Sequence, residues 1–203
     1  MTQYITKRVL FKSIEPGDLS KVRGESNKDK KAGGGARDFR VSHKRVEPVV
    51  HKMFPDAKIE KRRRKDKKTG VSGPTDVTIR YATLRWREDG EEKEMKIWYE
   101  PPTSARPWEG RIAQVPKIPP LNLEKIPPAS EGQAVVMFVE DNLGLWAYYV
   151  SEASLKSVDD NGNPLWNPAV SKPILKALAN KHEGRTVVGW IDLEAGTEDI
   201  GEQ

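Results

Sequence analysis

Hydrophobic and polar positions alternate most regularly over Asp76–Arg87 and Glu91–Glu100, with Asp89-Gly90 between them. Period-two alternation on both sides of an Asp-Gly pair predicts a β-hairpin closed by a type I′ turn. A two-residue loop pairs positions whose numbers sum to 179. That register sets Ala82, Leu84 and Trp86 on one face with Met95, Ile97 and Tyr99. On the other face Arg85 stands opposite Glu94, Arg87 opposite Glu92 and Tyr81 opposite Trp98. Opposite charges and large rings meet across the strands, so pattern, turn chemistry and pairing agree.

Elsewhere the pattern is shorter. Tyr4–Phe11 is β-prone and is broken by Glu15-Pro16-Gly17-Asp18. Residues 21–36 have no periodicity and predict a loop. Phe39-Arg40-Val41 predicts a short strand or the approach to a helix over 43–54, in which Pro48 fits only near a first turn or at a kink. Pro101-Pro102 ends the hairpin, and 103–114 reads as a loop running into a short apolar segment. Five prolines in 116–129 predict an extended connector along the surface. QAVVMFVE (133–140) and GLWAYYVS (144–151) predict a second hairpin around Asp141-Asn142-Leu143. Ser171, with Pro173 just inside, starts a helix through Lys181 that Gly184 stops. Arg185–Glu194 is the last strand, followed by an acidic tail, 195–203, expected to fray. The expectation is one α+β domain over 1–203, mainly β. Its core is a twisted sheet or pseudobarrel of about seven strands with one or two flanking helices.

Composition narrows the chemistry. Hydrophobic residues make up 36% and charged residues 32%, but six Trp and five Tyr argue for a folded core. Without cysteine there are no disulfides or thiolate metal sites, and three scattered histidines do not supply a zinc site. No apolar run reaches the length of a membrane span, and the N-terminus lacks the apolar stretch of a signal peptide. A cytoplasmic, nucleoid-associated location is the expectation. The net charge of +5 is unevenly spread. Residues 1–68 hold 21 Lys and Arg against 9 Asp and Glu; the remainder holds 14 against 21. A basic half suits a polyanionic partner, the plainer alternative being two solvated surfaces of opposite sign.

Three clusters carry that charge. KDKKAGGGARDFR places Lys28, Lys30, Lys31, Arg37 and Arg40 around Gly33, Gly34 and Gly35. Glycines without Cβ atoms let backbone amides approach a phosphate, although a plain surface loop would read the same way. No Gly-Lys-Ser/Thr follows, which excludes a P-loop. Lys61, Arg62, Arg63, Arg64 and Lys65 form the core of a polybasic tract over 58–68, expected at a loop tip or strand edge; with its flank it gives a second flexible basic loop, 58–70. Arg106, Trp108 and Arg111 follow the first hairpin. Arginine reads guanine edges and an exposed Trp stacks on bases, whereas a buried Trp108 would instead plug the sheet. Lysines would contact phosphate, and Arg37, Arg40, Arg106 and Arg111 would sit nearer the bases.

A nuclease is the enzymatic alternative. Asp76, Glu94 and Lys96 loosely match the pattern of Mg²⁺-dependent nucleases in which two acids hold the metal and a lysine assists water. The hairpin register opposes it. Glu94 faces Arg85, nine residues from Asp76 and so roughly 30 Å away at ~3.3 Å per residue. No cofactor is expected otherwise.

The stretch Ser26–Arg40, the loop RPWEGR (106–111) and the hairpin VVMFVEDNLGLWAYYVSEAS together resemble DNA-recognition modules of restriction endonucleases, in particular their B3-like pseudobarrel domains. The resemblance covers roughly half the chain. It implies a pseudobarrel gripping double-stranded DNA through basic arms and loops. The implied role is recognition of a specific or modified sequence in a restriction or phage-defence system, with a nuclease or other defence subunit as a further partner. A protein-interaction subunit whose basic half docks an acidic partner is the remaining alternative.

Overall fold

The computed structural model describes residues 5–15, 39–65, 69–104, 106–112 and 115–203. Ten strands form one sheet: β1 (Thr6–Ser13), β2 (Phe39–Ser42), β3 (Asp56–Lys65), β4 (Ser72–Glu88), β5 (Glu91–Glu100), β6 (Glu109–Ile112), β7 (Ala134–Asp141), β8 (Leu145–Ser151), β9 (Val187–Asp192) and β10 (Thr197–Glu202). The order is β10-β9-β1-β7-β8-β4-β5-β6-β2, with β3 paired to β4. The described helices are α1 (His43–Met53), α2 (Glu152–Lys156) and α3 (Pro168–Ala179). The chain is mainly β, as expected, but with ten strands rather than about seven. The sheet is an open path among the described residues, with no pairing that closes it. None of the described helices is long and apolar enough to cross a membrane.

Both faces of the central strands are buried, which explains their continuous apolar runs. In β1, Leu10 faces one core while Val9 and Phe11 face the other; in β7, Val136 and Phe138 oppose Val135, Met137 and Val139. The first core lies under α1, through Val46, Val49, Val50 and Met53. The second lies under α2 and α3, through Leu155, Val170, Ile174 and Leu178. No residue of β2 to β6 belongs to the second core. The described helices therefore cover only half of that sheet face.

The first hairpin has the expected register throughout, from Arg80–Tyr99 to Glu88–Glu91. Asp89 (φ 53°) and Gly90 (φ 80°) adopt the left-handed conformations that a type I′ turn requires. Four expectations need correction. The polybasic segment is not a flexible loop over its described part: residues 58–65 belong to β3, an edge strand on β4. Cross-strand bonds to a partner offset the repulsion of its charges. The proline-rich segment is a series of short 3₁₀ turns rather than an extended connector. Val115, Ile118 and Leu121 recur every three residues, share one side of such turns and enter the first core. Helix α3 starts earlier than Ser171, because the Asn167 side chain caps the Ala169 N–H and Pro168 occupies the first turn. The acidic tail is strand β10, folded back on β9 by a turn with Gly196 at φ 65°, and Ile200 packs on the second core.

Candidate functional site

Where the described helices stop, alternate residues of β2 to β6 present a largely polar face, with Val77 and Ile79 of β4 buried within it. In β4 this face carries Tyr81, Thr83, Arg85 and Arg87; in β5 it carries Glu94, Lys96, Trp98 and Glu100. In-register pairing then places Lys58, Glu60, Arg62 and Arg64 of β3, Arg111 of β6 and Arg40 of β2 on the same side. No apolar cluster of described residues covers them.

Glu100 is the centre of this face and is 7% exposed. Arg111 donates to its Oε2 from Nε (3.1 Å) and Nη2 (2.7 Å), and the Trp98 indole N–H donates to Oε1 at 3.3 Å. Burial alone would raise the Glu100 pKa; the bonds and charge from Arg111, with Trp98 and Arg62, outweigh it and hold the carboxyl below its ordinary range. Arg64 donates to the carbonyls of Pro102 (2.9 Å) and Pro101 (3.4 Å), which fastens β3 to the start of the next loop. Burial, with Arg111 and Arg62 nearby, pulls the Arg64 pKa down against the pull of Glu100. Arg62 pairs with Glu60 at 3.0 Å, while its shielded Nε–H has no acceptor. Tyr81 donates to Glu60, and Lys96 Nζ lies 4.8 Å from the centre of the Tyr81 ring.

Glu109 bridges Arg40 (3.0 Å) and Arg106 (3.0 Å). The loop between them is fixed at two points: Arg106 N–H donates to the Thr103 carbonyl at 2.9 Å, and the first N–H of α1, at His43, donates to the Trp108 carbonyl at 2.9 Å. Trp108 itself is 68% exposed, so it does not plug the sheet.

The structure thus brings Arg40, Arg62, Arg64, Arg106 and Arg111 together, although they span three separate sequence clusters. Lys61 and Arg63 point to the opposite, exposed side of the β3–β4 ribbon, and Lys65 ends its first strand. Lys28, Lys30, Lys31, Gly33, Gly34, Gly35 and Arg37 lie outside the described residues. Asp76 and Glu94 do not converge: Asp76 pairs with Lys61 at the far end of β4, and Glu94 pairs with Arg85. Lys96 sits over Tyr81 instead of beside an acid pair. Among the described residues no group of three or more His, Asp or Glu could hold a metal ion.

Sequence reasoning placed Tyr81 opposite Trp98 but gave neither a role at the site. The signal was present in the second face of the hairpin, where rings and cations alternate with the apolar positions. Lys58 and Glu60 were inside the polybasic tract, but only the β3 register gives them a face. No family model matches the chain, and comparison with curated proteins and with solved structures found none that is significantly similar.

Proposed function

We propose that this protein binds double-stranded DNA through the face of β2 to β6 that the described helices leave open and the β3–β4 ribbon beside it. One observation carries the reading. Five arginines from four elements gather on or beside a sheet face that also carries Tyr81 and Trp98, and Glu60, Glu100 and Glu109 are among the carboxylates that orient them. The carboxylates orient the guanidinium groups without neutralising the patch. Exposed Trp108 extends the surface along the loop, and Lys61 and Arg63 add charge on the other side of the ribbon, which a duplex gripping the ribbon would also meet. Backbone contacts of this kind supply affinity, and rings with arginines at the centre supply selectivity. Recognition of a specific or modified sequence, in a restriction or phage-defence setting, belongs to the same proposal and rests on the resemblance of the loops and second hairpin to restriction-enzyme modules.

Titrating duplex DNA at two salt concentrations tests it. With six or more phosphate contacts, affinity falls by about 10³-fold or more between 50 and 200 mM salt. Lys61→Ala and Arg63→Ala each reduce the salt slope by about one unit, whatever the sequence of the duplex. A flat salt response rules the proposal out.

A further inference from the structure

Strands β4 and β8 run parallel but are joined by only two residue pairs, Leu84–Leu145 and Arg85–Trp146. Beyond them a cavity of about 410 Å³ opens, lined in part by Arg85, Trp86, Arg87, Lys125, Trp146 and Tyr148. Its size falls within the range of about 300–1,000 Å³ that small-molecule sites occupy. A second hollow reaches Trp146 and Tyr148 from the side of Trp166, whose ring meets Tyr148 edge-on at 6.2 Å.

The lining specifies an occupant. Trp146 and Tyr148 line it on the same sheet face as Arg85 and Arg87, and Trp86 lines it from the other face; such rings favour a planar aromatic group. Arg87 and Lys125 offer positive charge, and Arg85 does so partly, since it pairs with Glu92 at 2.9 Å. Trp146 is only 6% exposed, yet its indole N–H has no acceptor. A buried N–H without a partner is unfavourable, and Trp146 lines this cavity, so an acceptor brought into the wedge would satisfy it. A sugar phosphate has no flat π-face to stack, a fatty acid has no ring, and a cation would be repelled. A nucleotide supplies all three complements: a flat base, an acceptor on its edge and an anionic phosphate.

We infer that the wedge between β4 and β8 binds a single nucleotide unit, with its base against Trp146 and Tyr148, an acceptor toward Trp146 Nε1 and its phosphate toward Arg87. The unit is either a free nucleotide or one residue of a strand. This deepens the nucleic-acid reading above, but uses residues other than the arginine cluster and the ribbon.

The test is a titration of the ¹⁵N-labelled full chain, observed through the indole N–H signals of its six tryptophans. Trp146→Phe identifies the signal of Trp146 and removes the donor. The probes are the four deoxynucleoside 5′-monophosphates, the matching nucleosides and a single-stranded tetranucleotide. A shift of the Trp146 signal with a mononucleotide supports the site and assigns it a free nucleotide. A shift with the tetranucleotide alone supports the site and assigns it one unit of a strand. Nucleosides bind at least tenfold more weakly than their phosphates, and Arg87→Gln, at an exposed position, weakens the response about tenfold. An unmoved Trp146 signal with every probe overturns the inference, as does equal binding of nucleosides and nucleotides. Duplex affinity of Lys61→Ala and Arg63→Ala is measured in parallel. If the indole response persists while duplex binding is absent, the wedge stands and the duplex proposal falls.

Discussion

A Cβ on Gly110 would stand 1.7 Å from the Tyr99 hydroxyl oxygen. Glycine at this point in β6 lets the Tyr99 ring pass beneath the strand and share a hydrogen bond of 2.9 Å with His43 Nδ1. Tyr99 is 2% exposed, and burial, with Glu47 nearby, raises its pKa, so the phenol stays protonated. Gly110→Ala displaces the ring and breaks the tie between β5 and the start of α1. The expected cost is about 2 kcal/mol for an overpacked core position, which lowers Tm by roughly 4–8 °C in a calorimetric scan. A Tm equal to wild type would show that the ring has room to move. None of this was legible in the sequence. Gly110 reads there as a loop residue, because the meeting of β5, β6 and α1 depends on contacts far apart in the chain. The Asp89-Gly90 turn was legible because a type I′ turn declares itself within four residues.

Elements sort in the same way. The two hairpins, β4–β5 and β7–β8, could be read because each is closed by a short turn and each strand's pattern fixes its own register. Strand β10 could not, since an acidic, weakly apolar segment becomes a strand only when β9 offers it an edge. Strand β3 is intermediate: its sequence reads as an edge, and the long β4 supplies the partner. Beyond Arg62 and Thr75 the β3–β4 ribbon contributes no buried apolar side chain among the described residues. Deleting residues 63–74 and closing Arg62 to Thr75 with Asp-Gly therefore removes mainly charge, together with the bonds of Arg64 to Pro101 and Pro102. Stability falls by about 1 kcal/mol, or roughly 2–4 °C in Tm, while duplex affinity falls by two orders of magnitude or more. A collapse of Tm would instead make the ribbon part of the core, and unchanged affinity would place the DNA elsewhere.

At the scale of the whole molecule, one ion network joins both cores. Arg8 on β1 donates to Glu140 on β7 (2.8 Å) and to Asp192 on β9 (3.3 Å), and also to Glu194; Lys52 of α1 reaches Asp192 at 2.6 Å. Burial would raise the Asp192 pKa, but Lys52, the Ala195 N–H and Arg8 together hold it below the usual aspartate value. A depressed carboxyl pKa stabilises the fold above the unfolded value of about 3.9, and that contribution is lost as pH falls through the lower, folded value. Asp192→Asn costs about 2 kcal/mol at pH 7 by denaturant unfolding, and its difference from wild type shrinks below about pH 4. A difference that stays constant down to pH 2 would separate the network from acid unfolding. Charge has a second consequence at the outer margin of the sheet. Strand β3 pairs only with β4 among the described residues, so its other row of backbone amides and carbonyls is available to any extended chain. Two copies of this protein approaching through that row would bring Lys58, Lys61, Arg62, Arg63 and Arg64 against the same residues of the other copy, and like charges push such a pair apart. If the ribbon attracts a polyanion as proposed, the same charges would also oppose polymerisation through this edge. Screening those charges with high salt would then weaken both effects together.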